Sequence, residues 1–135
     1  LSIGIPLVLI AFAGAIFSRE GKVDFKTRPC PVMMLHGTAD AIVPYTQIAV
    51  LNLGFFGGGK LVERFKKYDL NYNMYHFIDY GHEIAGSMDT TLDLQIKFLE
   101  NNVMQGKKRI VESWISDPDV SKGSAFKSRK DIYGN

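Results

Sequence analysis

Residues 30–45 read CPVMMLHGTADAIVPY, and the fold turns on how they are parsed. Residues 30–36 form a short apolar run, entered through Pro29 and Pro31 and stopped at Gly37. A short run that is apolar throughout, rather than on alternate positions, fits a strand covered on both faces, as in a parallel sheet flanked by helices. The residues after it, His36-Gly37-Thr38-Ala39-Asp40 and then Val43-Pro44-Tyr45, read as a loop that carries a histidine and an acid.

Outward from this stretch, strand and helix patterns alternate. Residues 46–56 are apolar at irregular spacing and fit either helix or extended chain, and Gly57-Gly58-Gly59 breaks the chain. Residues 60–70 predict an amphipathic helix, with Leu61, Val62, Phe65 and Tyr68 in one stripe and Glu63, Lys66 and Lys67 opposite. Residues 71–73 read as a turn. Residues 74–78 predict a strand with Met74, His76 and Ile78 on one side and Tyr75 and Phe77 on the other. Residues 90–103 predict a second helix on the spacing of Leu92, Ile96 and Leu99, with Asp89 or Thr90 as its cap.

The opening, LSIGIPLVLIAFAGAIFS, carries no charge over residues 1–18. It admits three readings: a signal segment, a membrane helix, or a buried strand over residues 7–12. It lacks the basic start and Met of a signal segment, and it is short and interrupted by Pro6 for a membrane span, so the strand is expected. From Asp117 onward the chain is polar. The expected division is a partial domain over residues 1–116 and a polar tail over residues 117–135. Strand and helix in this order imply right-handed crossovers and an α/β fold with a mostly parallel sheet of about three strands.

Composition narrows the classes of function. With 135 residues, 46% apolar and 22% charged, the chain can build a core and is not of disordered type. A net charge of +2, with one short basic cluster at Lys107-Lys108-Arg109, argues against a nucleic-acid partner. No membrane partner is expected. The lone Cys30 excludes an internal disulfide and sits at a strand entrance as a packing residue.

Ligands of such sheets sit outside the carboxyl ends of the strands. Two of those ends carry chemistry: Asp40 follows one strand, and His82 in Asp79-Tyr80-Gly81-His82-Glu83 follows the next. An acid and a histidine at successive strand ends, on the same edge of the sheet, suit a relay in which the carboxylate fixes the imidazole and the imidazole takes a proton from a hydroxyl. The bland alternatives are a turn aspartate and a surface-loop histidine. His36 is expected to be structural and His76 to be packed within its strand. Asp79 and Glu83 rival Asp40 as the acid, but they lie too close to His82 along the chain to face its Nδ1.

HGTADAIVPY followed by YGHEIA resembles the C-terminal half of an α/β-hydrolase of the esterase, lipase and acyl-peptidase-like kind. The likeness runs over about residues 5–103 and implies that Asp40 is the triad acid and His82 the base. The family also implies a nucleophilic serine in G-x-S-x-G, and the sequence contains no complete copy. Ser2-Ile3-Gly4 leaves too few residues before the next strand for a crossover helix. Ser18 and Ser87 lack the glycine frame, and Ser87 reads as a helix-entry residue.

The expectation is therefore the C-terminal portion of a serine-type carboxylic ester hydrolase, with its nucleophile upstream of Leu1 and little activity of its own. No cofactor and no metal are expected. The expected partners are a small-molecule ester and either the missing N-terminal half or a second copy, paired through an exposed edge of the first strand. Tyr45, Phe55 and Phe56 are candidates for an apolar pocket wall or for ordinary core. The competing readings are a non-catalytic remnant that binds or dimerises, and a metal site built from His36, Asp40, His76 and His82.

Overall fold

The computed structural model describes residues 8–18, 25, 27–51 and 53–116. Among them, in chain order, lie β1 (Leu9–Phe12), β2 (Ala15–Ser18), β3 (Val32–Gly37), β4 (Gln47–Val50), β5 (Leu53–Gly57), α1 (Gly58–Lys67) and β6 (Tyr72–Phe77). A 3-10 turn (His82–Gly86), α2 (Leu92–Phe98), a π-helical turn (Leu99–Met104) and β7 (Val111–Ile115) follow. The predicted tail over residues 117–135 and residues 1–7 of the opening, Ser2 and Leu7 among them, lie outside the described residues.

The fold is α/β. Four strands form a parallel sheet in the order β1-β3-β6-β7. The expected number was about three; β7 is the addition. Its VESWI mixes polar and apolar residues without alternation and none of them is fully buried, as on an edge strand partly open to water, so it carries neither a continuous apolar run nor a period of two. A second, antiparallel sheet has the order β2-β5-β4. Within residues 46–56, β4 and β5 are thus strands and not helix, and β2 continues where the apolar opening turns at Ala13, which has φ 50°.

β3 and β6 are buried on both faces; β3 reads accordingly as an apolar run, whereas β6 carries Asn73 and His76 and begins at Tyr72, inside the stretch expected to be a turn. Val32, Met34 and Met74 face α1 and pack on Leu61, Val62 and Phe65. Met33, Leu35, Tyr75 and Phe77 face the other way and pack on Ile84 and Phe98. Helix α1 begins two residues before the predicted start, at the central glycine of the triplet. It ends where Asp69 adopts φ 50° and Leu70 N–H returns to the Phe65 carbonyl, a left-handed helix stop. Arg64, Lys66 and Lys67 in its last turn complement the helix dipole. Helix α2 starts later than predicted, with Thr91 at the cap position, and its last part widens into the π turn.

Leu35 is fully buried between β1 and β6, whereas Leu51 is 95% exposed. Leu35→Ala is expected to cost about 2–5 kcal/mol, and Leu51→Ala less than about 0.5 kcal/mol, in urea unfolding followed by circular dichroism.

Candidate active site

The loops leaving β3 and β6 are locked together at the carboxyl edge of the parallel sheet. Thr38 N–H donates to the Phe77 carbonyl (2.9 Å) and Ala39 N–H to the Tyr80 carbonyl (2.9 Å). Asp79 N–H donates to Thr38 Oγ1 (2.9 Å). The approach is so close that a Cβ on Gly37 would collide with the carbonyl oxygens of Tyr80 and Gly81. Glycine at position 37 is thus a condition for the two loops to touch.

This contact brings Asp40 and His82 together. His82 Nδ1 lies 2.9 Å from Asp40 Oδ2. A carboxylate only accepts, so the proton sits on Nδ1 and the lone pair on Nε2. The His82 side chain is 18% exposed, whereas that of Asp40 is wholly excluded from solvent. Ile42 and Val43 N–H both donate to Asp40 Oδ1 at 2.9 Å. Burial pushes the Asp40 carboxyl upward, but the hydrogen bonds from His36, His82, Val43 and Ile42 outweigh it and hold it below the ordinary carboxylate value.

His36 is a scaffold for this loop. Gly58 N–H, at the start of α1, donates to His36 Nδ1 (3.0 Å), which leaves the proton on Nε2. Nε2–H is shared between the Val43 carbonyl (3.1 Å) and Asp40 Oδ2 (3.4 Å). On either side of Gly58, Gly57 N–H donates to the Thr46 carbonyl and Gly59 N–H to the Tyr45 carbonyl. The three glycines thus join β5 to α1 and bind the end of the acid loop. Added Cβ atoms on Gly57 and Gly58 would meet the Pro44 carbonyl and Met74.

Of the other predicted positions, Asp79 stands at φ 63° with its N–H on Thr38. Glu83 is buried, and its Oε2 has no hydrogen-bond partner among the described residues. Ser87 is fully buried and its hydroxyl donates to the Ile84 carbonyl (2.6 Å), so it is not turned to His82. Among the described residues no hydroxyl bonds to His82 Nε2. Phe55 and Phe56 point to opposite faces of β5: Phe56 joins the core under α1 and Phe55 is exposed, so they do not build one wall with Tyr45. Both ring nitrogens of His36 and of His76 are engaged by protein groups, which leaves the four-residue metal alternative short of free ligand atoms. Cys30 is half-buried, and burial pushes its thiol upward. No helix among the described residues is long and apolar enough to cross a membrane.

No protein-family model, curated protein or solved structure matches this chain.

Two outcomes are expected. Gly37→Ala forces the acid and base loops apart and costs about 1–3 kcal/mol, read from urea midpoints. Asp40 binds its proton more weakly folded than unfolded, so the stability it contributes is complete above the ordinary carboxyl value and falls as pH drops through that value toward the lowered one. Urea midpoints of the unaltered chain should decline across that window, and Asp40→Asn should flatten the decline.

Proposed function

We propose that this chain is the acid- and base-bearing C-terminal portion of a serine-type carboxylic ester hydrolase of the α/β-hydrolase kind. The observation that carries the reading is the 2.9 Å bond from His82 Nδ1–H to the buried Asp40 carboxylate, placed at the carboxyl ends of adjacent parallel strands. In this reading a serine from sequence preceding Leu1 attacks the ester carbonyl. His82 Nε2 takes the serine proton and then delivers it to the departing alkoxide, and Asp40 stabilises the imidazolium formed in between. Water, activated by the same nitrogen, then releases the acid. The donors that stabilise the tetrahedral oxyanion come from outside the described residues.

The partner reading is supported at the other end of the sheet. Among the described residues β1 pairs on one edge only, with β3. Leu9 is 47% exposed there. An apolar cavity of about 310 Å³ runs beside it, lined by Leu9, Ala11, Phe25, Val32, Leu61 and Phe65. An apolar edge that is unpaired among the described residues, beside an apolar cavity, suits docking of a preceding strand and helix, the N-terminal half of the proposed enzyme, with a second copy as substitute. The alternative, a non-catalytic remnant that binds through this edge, draws on the lack of any hydroxyl at His82 Nε2 among the described residues.

The function is tested by hydrolysis of p-nitrophenyl butyrate. The 135-residue chain is expected to show no rate that His82→Ala removes. A polypeptide extended upstream in the same reading frame should be active, and His82→Ala should lower its rate by about 10⁴–10⁶-fold. An inactive extended protein, or one indifferent to His82→Ala, would overturn the reading. Light scattering of the 135-residue chain at high concentration is expected to show association; a monodisperse monomer would count against the open edge.

A further inference from the structure

A second polar array lies on the α1 face of the sheet, apart from the Asp40–His82 pair. His76, 2% exposed, is in the middle of it. Its Nε2 lies 2.9 Å from Glu112 Oε1, and its Nδ1 lies 2.6 Å from the Tyr45 hydroxyl. A carboxylate can only accept, so His76 carries its proton on Nε2 and donates to Glu112, and Tyr45 Oη donates to Nδ1. The other Glu112 oxygen receives Lys66 Nζ of α1 at 2.5 Å. Trp114 stacks on the His76 ring with centroids 4.7 Å apart. Burial holds the His76 ring below the ordinary histidine value despite Glu112, which keeps Nδ1 an acceptor at neutral pH. The sequence offered His76 as a packed strand residue; it is packed, and it is bonded at both nitrogens.

Tyr45 connects this array to the acid. It ends the loop that Asp40 begins, and the two amides that hold Asp40 Oδ1, those of Ile42 and Val43, lie between them. The far end of this loop is held twice, by Gly59 N–H on the Tyr45 carbonyl and by His76 on the Tyr45 hydroxyl, and the second tie fixes the side chain that the first leaves free to turn. We propose that His76 is a positioning residue for the Asp40–His82 pair, acting by holding the Tyr45 hydroxyl and with it the far end of the acid loop. The inference rests on the reading of Asp40 and His82 as acid and base. It assigns a role to β7 as well, because Glu112 orients the His76 ring.

The test is proton NMR on the full chain, following the low-field Nδ1–H resonance of His82 and its exchange with water. The resonance is assigned by its loss in Asp40→Asn. Tyr45→Phe keeps the ring and removes only the hydroxyl; it should exchange this proton at least about fivefold faster, the factor expected for one lost hydrogen bond. His76→Leu should do the same. His76→Asn, whose Oδ1 falls near the position of Nδ1 and can accept from Tyr45, should stay within about twofold of the unaltered chain. Unchanged exchange in folded Tyr45→Phe overturns the proposal and leaves the acid–base pair standing. Failure of His76→Asn to restore slow exchange also overturns it, provided that variant has native far-ultraviolet circular dichroism. Should the histidine variants not fold, Tyr45→Phe decides alone. Absence of the resonance from the folded, unaltered chain would overturn the Asp40–His82 pairing and this proposal with it.

Discussion

The arrangement depends on one buried carboxylate. Asp40 is removed from water, and a bare carboxylate there would be too costly to keep ionised. It stays ionised because donors reach it from three directions: His36 at the end of β3, the Ile42 and Val43 amides of its own loop, and His82 from the loop after β6. The desolvation that makes Asp40 expensive also makes its bond to His82 strong, since little water competes for either partner.

Those donors converge only because backbone approaches backbone. Gly37 lets the β3 and β6 loops touch, and the amides of Thr38, Ala39 and Asp79 close the contact. Gly57 to Gly59 perform the same service behind the acid loop, where side chains would strike Pro44 and Met74, and Gly58 N–H sets the tautomer of His36. In two places, then, glycine is present because a carbonyl or a ring occupies the space a Cβ would need. Helix α1 contributes beyond its apolar stripe. Its first amides bind the acid loop, and Lys66 near its end braces Glu112.

Legibility followed burial. β3 and β6 are covered on both faces; an apolar run at residues 30–36 marked the first, and the two-sided pattern at residues 74–78 marked the second but missed its start at Tyr72 and Asn73. The stripe of Leu61, Val62 and Phe65 marked α1 because one face alone meets the sheet. β7 and the antiparallel sheet were not legible. β7 is a half-polar edge strand. The β4–β5 connection places Leu51 at φ 56° and 95% exposed, where a hairpin normally advertises itself with glycine or asparagine first. Glu112 could not be foreseen as a partner of His76 because the strand that brings them together was itself unseen.

The sequence by itself determined the alternation of strand and helix, and hence the parallel sheet. It also placed an acid and a histidine just beyond two of its strands. These follow from local periodicity and turn chemistry, which neighbouring residues encode. Tertiary structure alone decided that β3 and β6 lie side by side, that Asp40 and not Asp79 or Glu83 meets His82, that His36 props the acid loop, and that Tyr45, His76 and Glu112 form one chain. Each of these is a contact between residues far apart in sequence. Direction, distance and tautomer there depend on how the loops are clamped at Gly37, and no periodicity along the chain records it.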